Sequence, residues 1–334
     1  MIEINIQRQA IRVGSRFAVS FQRTLRIPDD GQTYPLPPGL GIFPIFAVAE
    51  FAERLPAEWS RGDAFIPLHQ REALWLGFHG ARWKPNAVQV RIGGVNALTG
   101  ETAAQPLRAE PQNYLVCPDQ PWLDGIVTGG GAVRQFVAMP LGLGYTVEAA
   151  LTGEERLGAI ELTVYEPKPG IFPDEEPAPE AGGPPRAAAS VQPMGLGAGG
   201  QMKQKIYRDR HGVEVWDGEN FGRVTVHLLN SAQFREVTGF EPPTTPVDAA
   251  AYAEAGLPWF DLYDEERAGL AAAPALAGAK TIAQRDEERG SSPSEAGPID
   301  AERLPVKKLW NEPSAGRQSR SAASPLTNPA EPET

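Results

Sequence analysis

The stretch Ile160-Glu161-Leu162-Thr163-Val164-Tyr165 decides the fold class. Apolar and polar residues alternate through it with a period of two, the pattern of a strand with one face buried. Working outward, the same period returns at Ile2-Glu3-Ile4-Asn5-Ile6 and between 16 and 27, where Phe17, Val19, Phe21 and Leu25 mark the apolar face. Further candidate strands span 73–78, 87–92, 112–117, 133–140 and 145–151. Turn chemistry separates several of them at Gly93-Gly94, Gly129-Gly130-Gly131 and Thr152-Gly153. Residues 42–51 are apolar but carry Pro44, which predicts an edge or bulged strand, or an irregular packed segment. No long stretch repeats every 3.6 residues. Short strands with regular turns predict a mainly β protein, with a β-sandwich-like unit over 1–168.

Past that unit the composition changes. Residues 169–190 are rich in Pro, Ala and Glu with few apolar anchors, which predicts a semi-extended linker. Residues 191–266 return to ordered sequence and predict a smaller α+β portion packed on the first unit. Its strands are expected at 202–207 and 223–229. A helix is expected over 231–238, with Ser231 as N-cap and Gly239 at its end, and a second over 246–255. The aromatic run from Trp259 to Tyr263 reads as a strap fixing that second helix to the body. Residues 267–334 are mostly Ala, Ser, Pro, Glu and Arg, a composition that predicts a disordered tail. One apolar island, Leu304-Pro305-Val306-Lys307-Lys308-Leu309-Trp310, interrupts it.

Charge and cysteine content narrow the function classes. The net charge of −11 disfavours general binding to phosphate backbones. A lone cysteine, Cys117, has no partner for an internal disulfide, so a reducing compartment, the cytoplasm, is expected. The N-terminal residues lack the charged-then-apolar order of a signal peptide, and no apolar run is long enough to span a membrane as a helix.

Several phrases resemble those of an uncharacterised bacterial family of unknown function. They are Gln120-Pro121-Trp122-Leu123-Asp124-Gly125, then Val133-Arg134-Gln135-Phe136-Val137-Ala138-Met139-Pro140-Leu141-Gly142, then Gly256-Leu257-Pro258-Trp259-Phe260. Their shared order over roughly residues 15–265 implies one architectural unit that spares the tail. The resemblance implies no activity, cofactor or catalytic residue.

Motifs with a chemical meaning are few. Gly195, Gly197 and Gly200 match G-x-G-x-x-G, and Asp217 lies near the spacing of a ribose-binding acid. That motif holds a pyrophosphate only between a strand and a helix, and here a linker precedes it and a strand-like run follows. A flexible hinge or tight turn is the simpler reading. A backbone anion nest near Lys203 and Lys205 is the functional one. Of the histidines, His211 and His227 could share a metal with Glu214 and Asp217, but no metal-binding spacing supports this, and no metal or cofactor is expected. Asp124 beside Trp122 could be an acid in an aromatic pocket, though a packed turn explains it as well. Cys117 reads as a buried structural thiol.

Arg134 and Gln135 lie on a strand that is apolar on both faces beyond them, hence a central strand. With Lys203 they are the candidate ligand contacts. Leu304, Val306, Leu309 and Trp310 are the candidate contacts to a protein partner, because apolar anchors inside a polar tail order on binding. The preferred expectation is a non-enzymatic binding or scaffold protein that recruits a protein partner. The alternative is a hydrolase or carbohydrate-active enzyme with a cleft between the two ordered parts, using Asp124, His211, Asp217 and His227.

Overall fold

The computed structural model describes residues 2–175, 193–262, 269–271, 273–291 and 299–309. Strand outweighs helix, 39% to 16%, and most pairing is antiparallel, so the chain is mainly β.

Two ladders carry the body. The first runs Ile4–Ile6, Ile11–Val13, Phe17–Thr24, Ala73–His79, Ala132–Pro140 and Pro193–Lys203, antiparallel throughout. The second runs Ala64–Leu68, Trp216–Asn230, Ile160–Pro167, Asn86–Ile92 and Leu115–Cys117. Its first pair is parallel. The ladders meet at a corner where Pro193 and Met194 pair with Leu229 and Leu228. One apolar cluster joins Phe17, Phe21, Leu76 and Phe136 of the first ladder to Val90, Leu162, Val164 and Val226 of the second. Two sheet faces burying one shared core make the body sandwich-like.

The strand at Ile160–Pro167 behaves as its alternation requires. Ile160, Leu162 and Val164 enter the core, while Glu161 and Thr163 stand on the other face opposite Arg91 and Gln89. There the Arg91 Nε donates to Glu161 Oε2 at 3.3 Å. The strand Ala132–Pro140 is central, flanked by Pro193–Lys203 on one side and by Ala73–His79 and Gly125–Gly129 on the other. Residues 191–266 therefore supply interior strands to the sheet that residues 1–168 begin.

Three local expectations are corrected, and one strand is present for which the sequence raises no expectation. Residues 145–151 do not form a strand; Val147–Thr152 is a helix. Thr146 caps it by accepting from the Ala149 N–H, and Gly153 ends it at φ 79. These end signals outweigh the β-branched residues at its start. The helix Ser231–Thr238 is present, but its cap is Asn230, whose side chain accepts from the N–H groups of Ala232 and Gln233. That leaves the Ser231 hydroxyl free for another partner. The second helix is shorter, Ala249–Glu254, because Asp248 caps it. Finally, Ala64–Leu68 is a strand with all five residues buried. Its run is short and carries Pro67, which weakens the strand signal in the sequence.

The expected tail also changes. Pro274–Ala277 and Ile282–Glu288 are short helices, and Leu276 and Ile282 are fully buried. Ile282 packs on Ala73, Val137, Met139 and Tyr145, covering the outer face of the first ladder. The helix is pinned by Asp286, 1% exposed, which accepts two bonds from the Arg71 guanidinium at 2.6 and 2.7 Å. The Tyr145 hydroxyl donates to the same carboxylate at 2.7 Å. The linker between 176 and 192 and residues 310–334, Trp310 included, lie outside the described residues.

Candidate functional site

The glycine run is the first candidate, and the structure overturns its phosphate-binding reading. Gly195, Gly197, Gly199 and Gly200 lie inside the strand Pro193–Lys203, and none has a positive φ. Space, not turn geometry, selects glycine. A Cβ at Gly195 would stand 2.8 Å from Thr146 Cγ2, at Gly197 2.9 Å from the Tyr145 carbonyl oxygen, and at Gly200 2.1 Å from that of Pro28. With these backbone atoms packed against neighbours, the N–H groups form no anion-binding loop, and the hinge reading falls with it.

The four candidate catalytic residues have separate surroundings. Asp124 is fully buried, and its carboxylate and N–H both pair with the Gln204 side-chain amide, at 2.7 and 3.0 Å. His211 meets the rings of Phe172 and Trp216, and its N–H donates to Asp209. Asp217 accepts from the Glu219 N–H at the start of the strand Trp216–Asn230. His227 lies flat on Trp59, ring centres 3.7 Å apart, with Nε2 3.3 Å from Asp63. Among the described residues no group of three or more His, Cys, Asp or Glu could hold a metal ion. Cys117 is fully buried, and burial, reinforced by Asp119, pushes its thiol pKa well up, away from thiolate chemistry.

The candidate ligand residues are also engaged. Gln135 is fully buried and clamps the chain at Leu25–Ile27: its oxygen accepts from Ile27 N–H at 3.1 Å and its nitrogen donates to Leu25 O at 2.8 Å. Arg134 donates to the Ala279 carbonyl and so holds the C-terminal segment. Lys203, more than half exposed, lies 3.6 Å from Asp261.

The C-terminal island is placed by the fold. Val306–Leu309 pairs in parallel with Trp259–Leu262 as a separate two-stranded sheet. The inner strand is anchored to the body. Trp259 is fully buried beside Tyr34 and Tyr252, and Phe260 exchanges two backbone bonds with Leu36 at 2.8 and 2.9 Å. Leu304 packs against the main core. Val306 is 44% exposed, and its strand has no second neighbour among the described residues.

One pair was not legible in the sequence. Ser231 Oγ lies 2.9 Å from His69 Nδ1, and His69 Nε2 lies 2.8 Å from the Pro243 carbonyl oxygen. The pairing of Ala64–Leu68 with Trp216–Asn230 brings them together, since Leu68 stands opposite Asn230. Glu72, 1% exposed, accepts from the His69 N–H at 2.8 Å and from Arg23 Nε at 2.7 Å. Burial raises its carboxyl pKa, and Arg23 offsets part of that rise.

No family model matches the chain, and no curated protein or solved structure is similar enough to count as a match.

Proposed function

We propose that the chain is a binding or scaffold protein that recruits a protein partner through its C-terminal segment, with Leu304, Val306, Leu309 and Trp310 in the contact region. The observation that supports this is the outer strand Val306–Leu309, held extended on an anchored inner strand with its far edge unpaired among the described residues. An open edge of this kind accepts a further strand, with backbone bonds giving affinity and side chains giving specificity. In this ladder the Trp259 N–H donates to Pro305 O at 2.9 Å. The alternation of a parallel ladder then turns the N–H and C=O of Val306 outward.

The lone cysteine suits a reducing compartment such as the cytoplasm. No helix among the described residues is long and apolar enough to cross a membrane. The overall acidity makes a nucleic acid a poor candidate partner. The alternative of a hydrolase keeps one specific support, the Ser231–His69 contact, because Asp124, His211, Asp217 and His227 stand in separate surroundings.

The test uses Val306→Pro, which removes the outward N–H while sparing the inward bonds, with Val306→Ala as control. Affinity capture with the full chain is expected to retain a partner that Val306→Ala also retains and Val306→Pro loses at least about tenfold, the loss of about one hydrogen bond. Recovery equal to that of the wild-type chain by both Val306→Pro and a chain ending at residue 303 would discard the proposal.

A further inference from the structure

We propose that Ser231 and His69 form a nucleophile–base pair able to cleave an activated carboxylic ester. This goes beyond partner recruitment, and either reading can fail without the other.

The hydrogen bonds set the tautomer. A carbonyl oxygen only accepts, so the ring nitrogen facing Pro243, Nε2 at 2.8 Å, carries the hydrogen and donates. In a neutral imidazole the other nitrogen, Nδ1, then offers a lone pair. Ser231 Oγ, 2.9 Å away, donates its proton to that lone pair. This is the order of an activated serine: a hydroxyl on a base whose far side is fixed by a third group.

The fold places the pair where parallel strands present reacting groups. Ala64–Leu68 and Trp216–Asn230 run in the same direction and end in register, so His69 and Ser231 are the first residues past their C-terminal ends. Ser231 opens the helix Ser231–Thr238, while Asn230 does the capping, so the Ser231 hydroxyl is not consumed by the helix end. Negative charge developing beside that end is favoured by the helix dipole. The buried Glu72 accepts from the His69 backbone N–H and fixes the loop that carries the ring.

Pro243 belongs to a segment that Arg23 holds by donating from Nη2 to Thr244 O at 2.6 Å. The shallow depression of about 290 Å³ that Pro243 borders is mostly polar, with Arg8, Gln9, Arg23 and Glu241 in its lining, and neither Ser231 nor His69 lines it, so it sets no acyl-chain preference.

The reaction balances with water as the only co-reactant. Ser231 Oγ bonds to the ester carbonyl carbon as its proton passes to His69 Nδ1. The bond from that carbon to the alkoxy oxygen breaks, and the leaving oxygen takes the proton from Nδ1. Water then attacks the acyl carbon, gives a proton to Nδ1, and the Ser231–carbon bond breaks. The proton returns to Oγ, and the products are an acid and an alcohol.

Two measurements on the full chain test this. A fluorophosphonate probe is expected to label Ser231, read by mass of the peptide, and His69→Ala is expected to slow labelling about 100-fold. Independently, the thiol introduced by Ser231→Cys is expected to react with iodoacetamide at pH 7 at least about tenfold faster than after the further change His69→Ala, because the imidazole promotes the thiolate. Buried Cys117 contributes little background. If Ser231 stays unlabelled while a known serine hydrolase labels beside it, or if both rates ignore His69, the proposal is overturned. Should His69→Ala fail to fold, Ser231 labelling and the pH at which the introduced thiol becomes reactive decide the matter. An ordinary thiol profile with no labelling overturns it.

Discussion

Gly200→Ala is expected to lower stability by more than about 3 kcal/mol, the upper range for forcing atoms into a packed interior. The added methyl carbon would sit 2.1 Å from the Pro28 carbonyl oxygen and 2.9 Å from Ile27 Cγ1. Neither is a flexible side-chain end that swings away cheaply: one is backbone, and the other belongs to a fully buried isoleucine. Relief requires the strand Pro193–Lys203 to part from the segment at Ile27–Pro28, which Gln135 also clamps. The control is Gly218→Ala, where the added carbon meets nothing within 4 Å and the backbone has no positive φ. Its effect is expected within about 0.5 kcal/mol. Urea unfolding of both variants checks the pair. A flexible glycine loop at 195–200 predicts two similar, small effects instead.

Asp286→Asn is expected to cost about 3 kcal/mol at neutral pH, because it removes a charged partner of the Arg71 guanidinium at a site where the carboxylate is 1% exposed. Burial alone would raise the Asp286 carboxyl pKa, but the hydrogen bonds from Arg71 and Tyr145 outweigh it and hold the value below the ordinary aspartate range. The sign follows. A carboxyl whose folded pKa is depressed contributes stability that is present above its unfolded value, near about 3.9, and fades as pH falls through the folded value. The gap in stability between the wild-type chain and Asp286→Asn should therefore be full at pH 7 and shrink below about pH 4. Unfolding midpoints across that range measure it. A gap independent of pH would mean that shape, not charge, holds the helix Ile282–Glu288.

What could be read from the sequence divides along physical lines. Strands in long apolar or alternating runs are legible: Ile160–Pro167, Phe17–Thr24 and Ala73–His79 lie where their apolar residues put them. Ala64–Leu68 is not, because its run is short and Pro67 weakens the strand signal. The run at Gly195–Gly200 cannot be interpreted without its neighbours, since the same letters serve a phosphate loop and a crowded strand. Gln135 stands out in the sequence as a polar group on a central strand, but only the fold reveals that the backbone at Leu25–Ile27 takes both ends of its amide. Composition averaged over the last 68 residues hides the few anchors that matter, Leu276, Ile282 and Ile299, and the capping box of Thr281 and Gln284. Ser231 and His69 are 162 positions apart and meet only through strand pairing.

The strands at 193–203 and 216–230 are interior members of the sheet begun by residues 1–168, and 306–309 is the outer strand of a separate two-stranded sheet. Native-state hydrogen exchange reads this directly. Amides of Leu196–Ala198 and Val224–Leu228 are expected to exchange as slowly as those of Leu162–Val164, with Lys307 faster than all of them. Fast exchange across 195–200 while 160–166 stays protected would contradict an interior place for the strand Pro193–Lys203.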